Sequence, residues 1–177
     1  MEELDVKGIR ALADLGGRLL EVKGDVAVRR GRRLSDYGNH PDLVLDVDHA
    51  SIRFLGPDGA EPWEEVKGLS LNRDRVLLMV PVEEPRTHSV NPDLQVPGRK
   101  VKVRVICRGL EATGFVQVPL HTTISTFMYE MRTRFLSLNQ ARVLSTKGGI
   151  KIDDGGDFHE FCLVNREYVT ACIEIKS

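Results

Sequence analysis

The stretch LLEVKGDVAVRRGRRLSDY, Leu19–Tyr37, decides how this chain is read, because it returns as GLEATGFVQVPLHTTISTF at Gly109–Phe127. Leu20, Glu21, Gly24, Val26, Val28 and Ser35 recur at constant spacing as Leu110, Glu111, Gly114, Val116, Val118 and Ser125. Leu34 and Tyr37 return as Ile124 and Phe127, which keep apolar and aromatic character. Two more blocks follow in the same order. LVLDVDHASIRF (43–54) answers FLSLNQARVLS (135–145), and LNRDRVLLMV (71–80) answers VNREYVTACI (164–173), with Asn72, Arg73 and Val76 recurring as Asn165, Arg166 and Val169. Three ordered blocks in both halves predict an internal duplication.

Working outward, PVEEPRTHSVNPDLQVPGR separates the copies and holds Pro81, Pro85, Pro92 and Pro97. Proline at that density blocks helix and central strand and favours an extended connector. The predicted organisation is a first repeat over 1–80, a linker over 81–98 and a second repeat over 99–177.

Alternation inside each repeat predicts strands. Val101, Val103 and Val105 fall on one face, with Lys102 and Arg104 on the other. Gly24 and Gly114 interrupt their strands, where a bulge or sharp bend is the usual meaning and a short sheet begins to curl. Ser35 and Ser125 stand before short apolar turns and are candidate N-caps. STFMYEMRTRF (125–135) then reads as a short helix with Phe127, Met131 and Phe135 inward, while Gly38 and Pro41 weaken the equivalent in the first copy. Strands HASIRF and QARVL follow, then a loop and a final hairpin closed at LNRD and VNRE. At the start, Leu4, Ile9, Leu12 and Leu15 repeat at helical spacing before Gly16-Gly17, which predicts an N-terminal helix with a glycine stop.

The formal net charge of −1 gives no global reason to seek nucleic acid or a membrane surface. The first half is net acidic and the second net basic, so opposite-signed halves suit packing head to tail. The three cysteines, Cys107, Cys162 and Cys172, lie in apolar strand-like runs without a Cys-x-x-Cys spacing; buried, reduced thiols are expected. With no bilayer-length apolar run and no signal-peptide core, the sequence predicts a soluble, cytoplasmic, bacterial-type protein without membrane partners.

The glycine-bent strand, LSDYGN at Leu34–Asn39 and VNREYV at Val164–Val169 together resemble a group of small bacterial β-domains of unknown function. The resemblance spans about residues 18–80 and 100–176; the second copy keeps Ile124-Ser125 but departs from the Asp and Asn of the pattern. More distantly, the order is similar to Sm-like barrels, although LNRD and VNRE lack the glycine of that group's Arg-Gly loop. The resemblance implies a mainly β fold: two tandem, partly open Sm-like barrels with short helices, plus the N-terminal helix.

The search for chemistry returns little. The five histidines show no metal-ligand spacing, and the acids at Asp153–Asp157 read as a hairpin tip rather than a calcium loop. Ser145–Gly149 lacks the glycine that precedes a phosphate loop, and no nucleophile–base pattern stands out. The expectation is therefore a non-enzyme without cofactor or metal. Two basic segments are candidate partner or phosphate sites: Arg29, Arg30, Arg32 and Arg33, and the stripe Arg99, Lys100, Lys102, Arg104 and Arg108. Trp63, Arg73 and Arg166 are candidate interface residues; Gly24, Gly114, Ser35, Ser125, Asn72 and Asn165 are structural candidates. The function predicted is a protein-interaction or assembly module, adaptor or scaffold, working as a homo-oligomer or part of a larger assembly. The alternative is an RNA- or nucleotide-binding regulator.

Overall fold

The computed structural model describes residues 3–56, 58–82, 98–145 and 158–175. The first half holds β1 (Leu4–Asp14), β2 (Leu19–Arg29), helix α1 (Leu34–Gly38), β3 (Val44–Gly56), the short β4 (Gly59–Ala60), β5 (Glu64–Asn72), a 3₁₀ turn at Arg73–Arg75 and β6 (Val76–Pro81). The second holds β7 (Gly98–Cys107), β8 (Leu110–Pro119), helix α2 (Ile124–Glu130), β9 (Phe135–Ser145), β10 (Phe158–Asn165), a 3₁₀ turn at Arg166–Tyr168 and β11 (Val169–Glu174). Residues 83–97, most of the expected linker, and residues 146–157, where a loop and the acidic hairpin tip were expected, lie outside the described residues.

All pairings are antiparallel, in one 11-stranded sheet ordered β11-β7-β8-β9-β10-β6-β1-β2-β3-β4, with β5 also on β3. Its two stretches run β6-β1-β2-β3-β5 and β11-β7-β8-β9-β10, so the two halves repeat one strand order. Barrels were expected, but the sheet is not closed into one. The fourth long strand of the second half, β10, pairs with β6 of the first, and the two runs continue into each other.

The N-terminal helix is also corrected. Residues 4–14 form β1, hydrogen-bonded to β2 on one edge and β6 on the other. Ile9–Asp14 are buried throughout, with Ile9, Ala11 and Ala13 in one core and Leu12 in the other. Burial on both faces breaks the period of two, and the surviving apolar spacing imitates a helix. Gly16 and Gly17, at φ 76° and 115°, turn the β1–β2 hairpin instead of stopping a helix.

The expected terminal hairpins resolve differently. β5 lies on β3 and β6 on β1, so the 3₁₀ turn between them carries the chain from one side of the unit to the other. The helices begin before the serines: Arg33 and Thr123 occupy the N-cap positions, and the Thr123 hydroxyl accepts from Thr126 N at 3.1 Å. Helix α2 ends at Glu130, and Phe135 belongs to β9.

Gly24 and Gly114 mark bulges as predicted. The β2–β3 register shifts between Lys23 and Asp25, and the β8–β9 register between Thr113 and Phe115. A Cβ on Gly24 would stand 2.5 Å from Val47 Cγ1 and 2.8 Å from Asp48 O; one on Gly114 would meet Asn139 O at 3.0 Å. Close backbone approach demands glycine here. Across from each bulge, His49 (φ 48°) and Gln140 (φ 51°) are left-handed.

Two hydrophobic clusters result, and each draws on both halves. Leu12, Leu55, Leu77, Leu78 and Val80 pack among the second half's Val101, Val103 and Leu138; Phe135 and Leu163 pack among the first half's Val22, Leu45 and Met79.

Candidate interaction surfaces

The repeated Asn-Arg pair shows how one sequence pattern acquires two environments. In both copies the asparagine side chain accepts from the backbone N–H two residues on, Asn72 from Asp74 at 2.9 Å and Asn165 from Glu167 at 3.1 Å. That Asx-type bond shapes the 3₁₀ turn. Asn165 does more: it is buried, and its Nδ2 donates to Val76 O at 2.8 Å, across the line between the halves. Asn72 is exposed.

Arg73 is buried and donates to three carbonyls, Tyr37 O and His40 O at 3.0 Å and Val44 O at 2.9 Å, with its guanidinium 5.0 Å from the Tyr37 ring centre. It pins α1 to the start of β3 and is no free interface residue. Burial pushes the Arg73 guanidinium below its usual value and the Tyr37 phenol above its own. Arg166 is half-exposed and lies 3.3 Å from Glu167.

At the β10–β6 junction, Leu163 pairs with Met79 and Val164 with Leu78. Phe135 N donates to Asn39 Oδ1 at 2.7 Å, and Arg134 meets Asp74 at 3.1 Å. Gly38 keeps this seam tight: a Cβ there would sit 3.0 Å from Leu163 Cδ1. Asp14, buried, also pairs with Arg108 across the halves.

The ends of the sheet contrast with this seam. β5 pairs only with β3 and β11 only with β7, so each leaves one edge without a neighbouring strand among the described residues. Leu43 and Val44 are exposed near β5; Tyr129, 90 % exposed, and Ile173, 46 % exposed, lie on α2 and β11. An open cleft of about 490 Å³ lies between α2 and β11, lined by Ile124, Met128, Tyr129, Val169 and Cys172 among others.

The basic segments stay apart, one at the β2–α1 turn and the other along β7, with five strands between β2 and β7 in the sheet order running through β8, β9, β10, β6 and β1. Arg29, Arg30, Arg32 and Arg33 are exposed, but acids flank them: Arg30 pairs with Glu3, Gly31 N donates to Asp5, and Arg33 N donates to Asp36. In the stripe, Arg99 meets Glu174 at 3.3 Å and Arg104 meets Glu111 at 3.2 Å. Lys100 and Lys102 are exposed on the outer face of β7.

Trp63 is half-buried between cations, its ring 4.4 Å from the Arg53 guanidinium and 4.7 Å from Lys23 Nζ. Arg53 also contacts buried Glu21 at 2.5 Å, and Arg10 holds the other oxygen of that carboxylate. This Arg10–Glu21–Arg53 group escaped sequence reading; its only signal was the repeat of Glu21 as Glu111. All three cysteines are free; Cys107 and Cys162 are buried and Cys172 is half-buried. Burial raises the Cys107 thiol from its usual 9.0 to about 11 and pushes Cys162 up further. No cluster of candidate metal ligands and no helix long and apolar enough to cross a membrane occurs among the described residues. The chain matches no family model, no curated protein and no solved structure.

Proposed function

We propose that this chain is a non-catalytic assembly module, an adaptor or scaffold that joins other chains by strand pairing at the ends of its sheet. The observation that carries the reading is the pair of edges, β5 and β11, that have no neighbouring strand among the described residues, each beside exposed apolar side chains. An exposed strand edge presents a row of free N–H and C=O groups that a second chain satisfies, and neighbouring pockets select its side chains. The likeness to Sm-like domains belongs to this proposal, as does a cytoplasmic setting, which suits three free thiols.

A photoreactive residue placed at Ser70 on β5 or at Thr170 on β11, both exposed, tests the reading in the producing cell. Protein cross-links at either edge, absent from the same probe at Asp36, are expected. Silence at both edges overturns the proposal.

Phosphate binding is the second reading, favoured by the exposure of Arg32, Arg33, Lys100 and Lys102. It is the weaker one, because Arg30, Arg99, Arg104 and Arg108 are each answered by a carboxylate. Anisotropy with mixed single-stranded RNA decides it: phosphate recognition requires binding at low salt that falls steeply with added salt and with Arg32→Ala/Arg33→Ala.

A further inference from the structure

We infer that the partner at these edges is a second copy of this chain, with β11 of one copy pairing with β5 of the next in the manner of the internal β10–β6 junction. The inference rests on the edge-pairing reading and names its occupant.

The argument starts from the junction already present. It is heterologous: the fourth long strand of one repeat meets the fifth of the other. Using that contact once leaves one fourth-strand edge, β5, and one fifth-strand edge, β11, unpaired among the described residues. These are complementary to each other in the sense that β10 and β6 are. A heterologous contact that leaves both of its surfaces free repeats from copy to copy, giving a ring when the rotation closes and a filament when it does not.

The repeat alignment says which residues meet. Leu163 and Val164 correspond to Ser70 and Leu71; Met79 and Leu78 correspond to Cys172 and Ala171. The internal pairs Leu163–Met79 and Val164–Leu78 thus become Ser70–Cys172 and Leu71–Ala171 between copies. Asn72 takes the place of Asn165, its Nδ2 aimed at Val169 O of the next copy as Asn165 is at Val76 O. Val44 takes the place of Phe135 and enters the cleft between α2 and β11, at the position where Phe135 and Leu163 pack by Gly38.

Exposure differs in the sense this requires. Phe135 is 1 % exposed and Val44 47 %; Val80 is 2 % exposed and its counterpart Ile173 46 %. Asn165 is buried and Asn72 exposed. Phe135, Val80 and Asn165, buried at the occupied junction, have uncovered counterparts at the vacant one, whereas Leu71 is buried like Val164, and the acidic first half and basic second half attract in head-to-tail order. Departures concentrate on the α2 side, where Met128 and Tyr129 stand for Gly38 and Asn39, and where Asp74 keeps its charge as Glu167 while Arg134 is replaced by Leu43.

Light scattering of the full chain tests this, with Val44→Glu blocking one edge and Ala171→Glu the other, each checked for folding by circular dichroism. The expected result is a multimer for the parent, monomers for each variant and a 1:1 dimer when the two variants are mixed, since each keeps one competent and complementary edge. Asn72→Asp, which keeps an oxygen to accept from Asp74 N and removes the Nδ2 donor, is expected to weaken association about tenfold. A monomeric parent overturns the inference, as does a mixture that stays monomeric. If the parent is monomeric while the Ser70 and Thr170 probes still cross-link a different protein, self-pairing fails and the assembly reading stands; if they cross-link nothing, both fail.

Discussion

At the scale of the residue, Gly24 and Gly114 carry much of the repeat's shape. Neither has positive φ; what excludes a side chain is the neighbouring strand, with Val47 Cγ1 2.5 Å from a Cβ on Gly24. Gly24→Ala is expected to destabilise by about 1–3 kcal/mol, the usual cost of overpacking. Gly16→Ala, where φ is 76° and nothing lies within 4 Å, is expected to lose only about 1 kcal/mol. Urea unfolding of the two variants compares them, and equal losses would count against the close-approach account. The thiols offer a second residue-scale test. Cys107 ionises near 9.0 when unfolded and about 11 when folded. The unfolded chain therefore loses its proton first, and stability present below pH 9 declines as pH rises toward 11, by about 1.4 kcal/mol per pH unit for such a thiol. Cys107→Ala should flatten that decline in urea titrations. Thiol reagents at neutral pH should label Cys172 well before Cys107 or Cys162.

At the scale of the element, α1 is five residues long and too short to stand alone. Arg73 supports it with donors to Tyr37, His40 and Val44 carbonyls. Arg73→Lys offers a point charge in place of the planar fork and cannot reach all three, so a loss of about 2–4 kcal/mol is expected by urea unfolding. The equivalent Arg166→Lys should change stability by less than about 1 kcal/mol, since Arg166 is half-exposed and its visible partner is Glu167. Two elements illustrate what was legible along the chain. β7 announced itself because Val101, Val103 and Val105 are buried while Lys100, Lys102 and Arg104 face out. β1 was read as helix because both its faces are covered from Ile9 to Asp14, and alternation disappears when neither face meets water.

At the scale of the molecule, the two hydrophobic clusters exchange side chains. Leu12 of the first half packs in the cluster dominated by the second, and Phe135 of the second packs in that of the first. Unfolding is therefore expected to be one cooperative transition. Leu12→Ala should lower that transition by about 2–5 kcal/mol without splitting it, followed by calorimetry and circular dichroism together. Two separated transitions would show that the halves fold independently despite the shared seam.

Sequence alone determined the repeated blocks, the mainly β character, the bulge glycines and the paired Asn-Arg turns, because each depends on local geometry that returns wherever the residues return. Tertiary structure decided which copy of a pattern is buried. Asn72 and Asn165, or Arg73 and Arg166, are the same letters in the same turn, yet one asparagine bridges the halves while the other faces water, and one arginine is sealed while the other is open. For the asparagines, antiparallel pairing between distant strands sets that difference: β10 has β6 beside it, and β5 has no neighbouring strand on its outer edge among the described residues; Arg73 is sealed by the Tyr37, His40 and Val44 carbonyls of its own half. Hydrogen bonding along a strand edge is indifferent to side-chain identity, so no pattern within a strand reveals which other strand will lie against it.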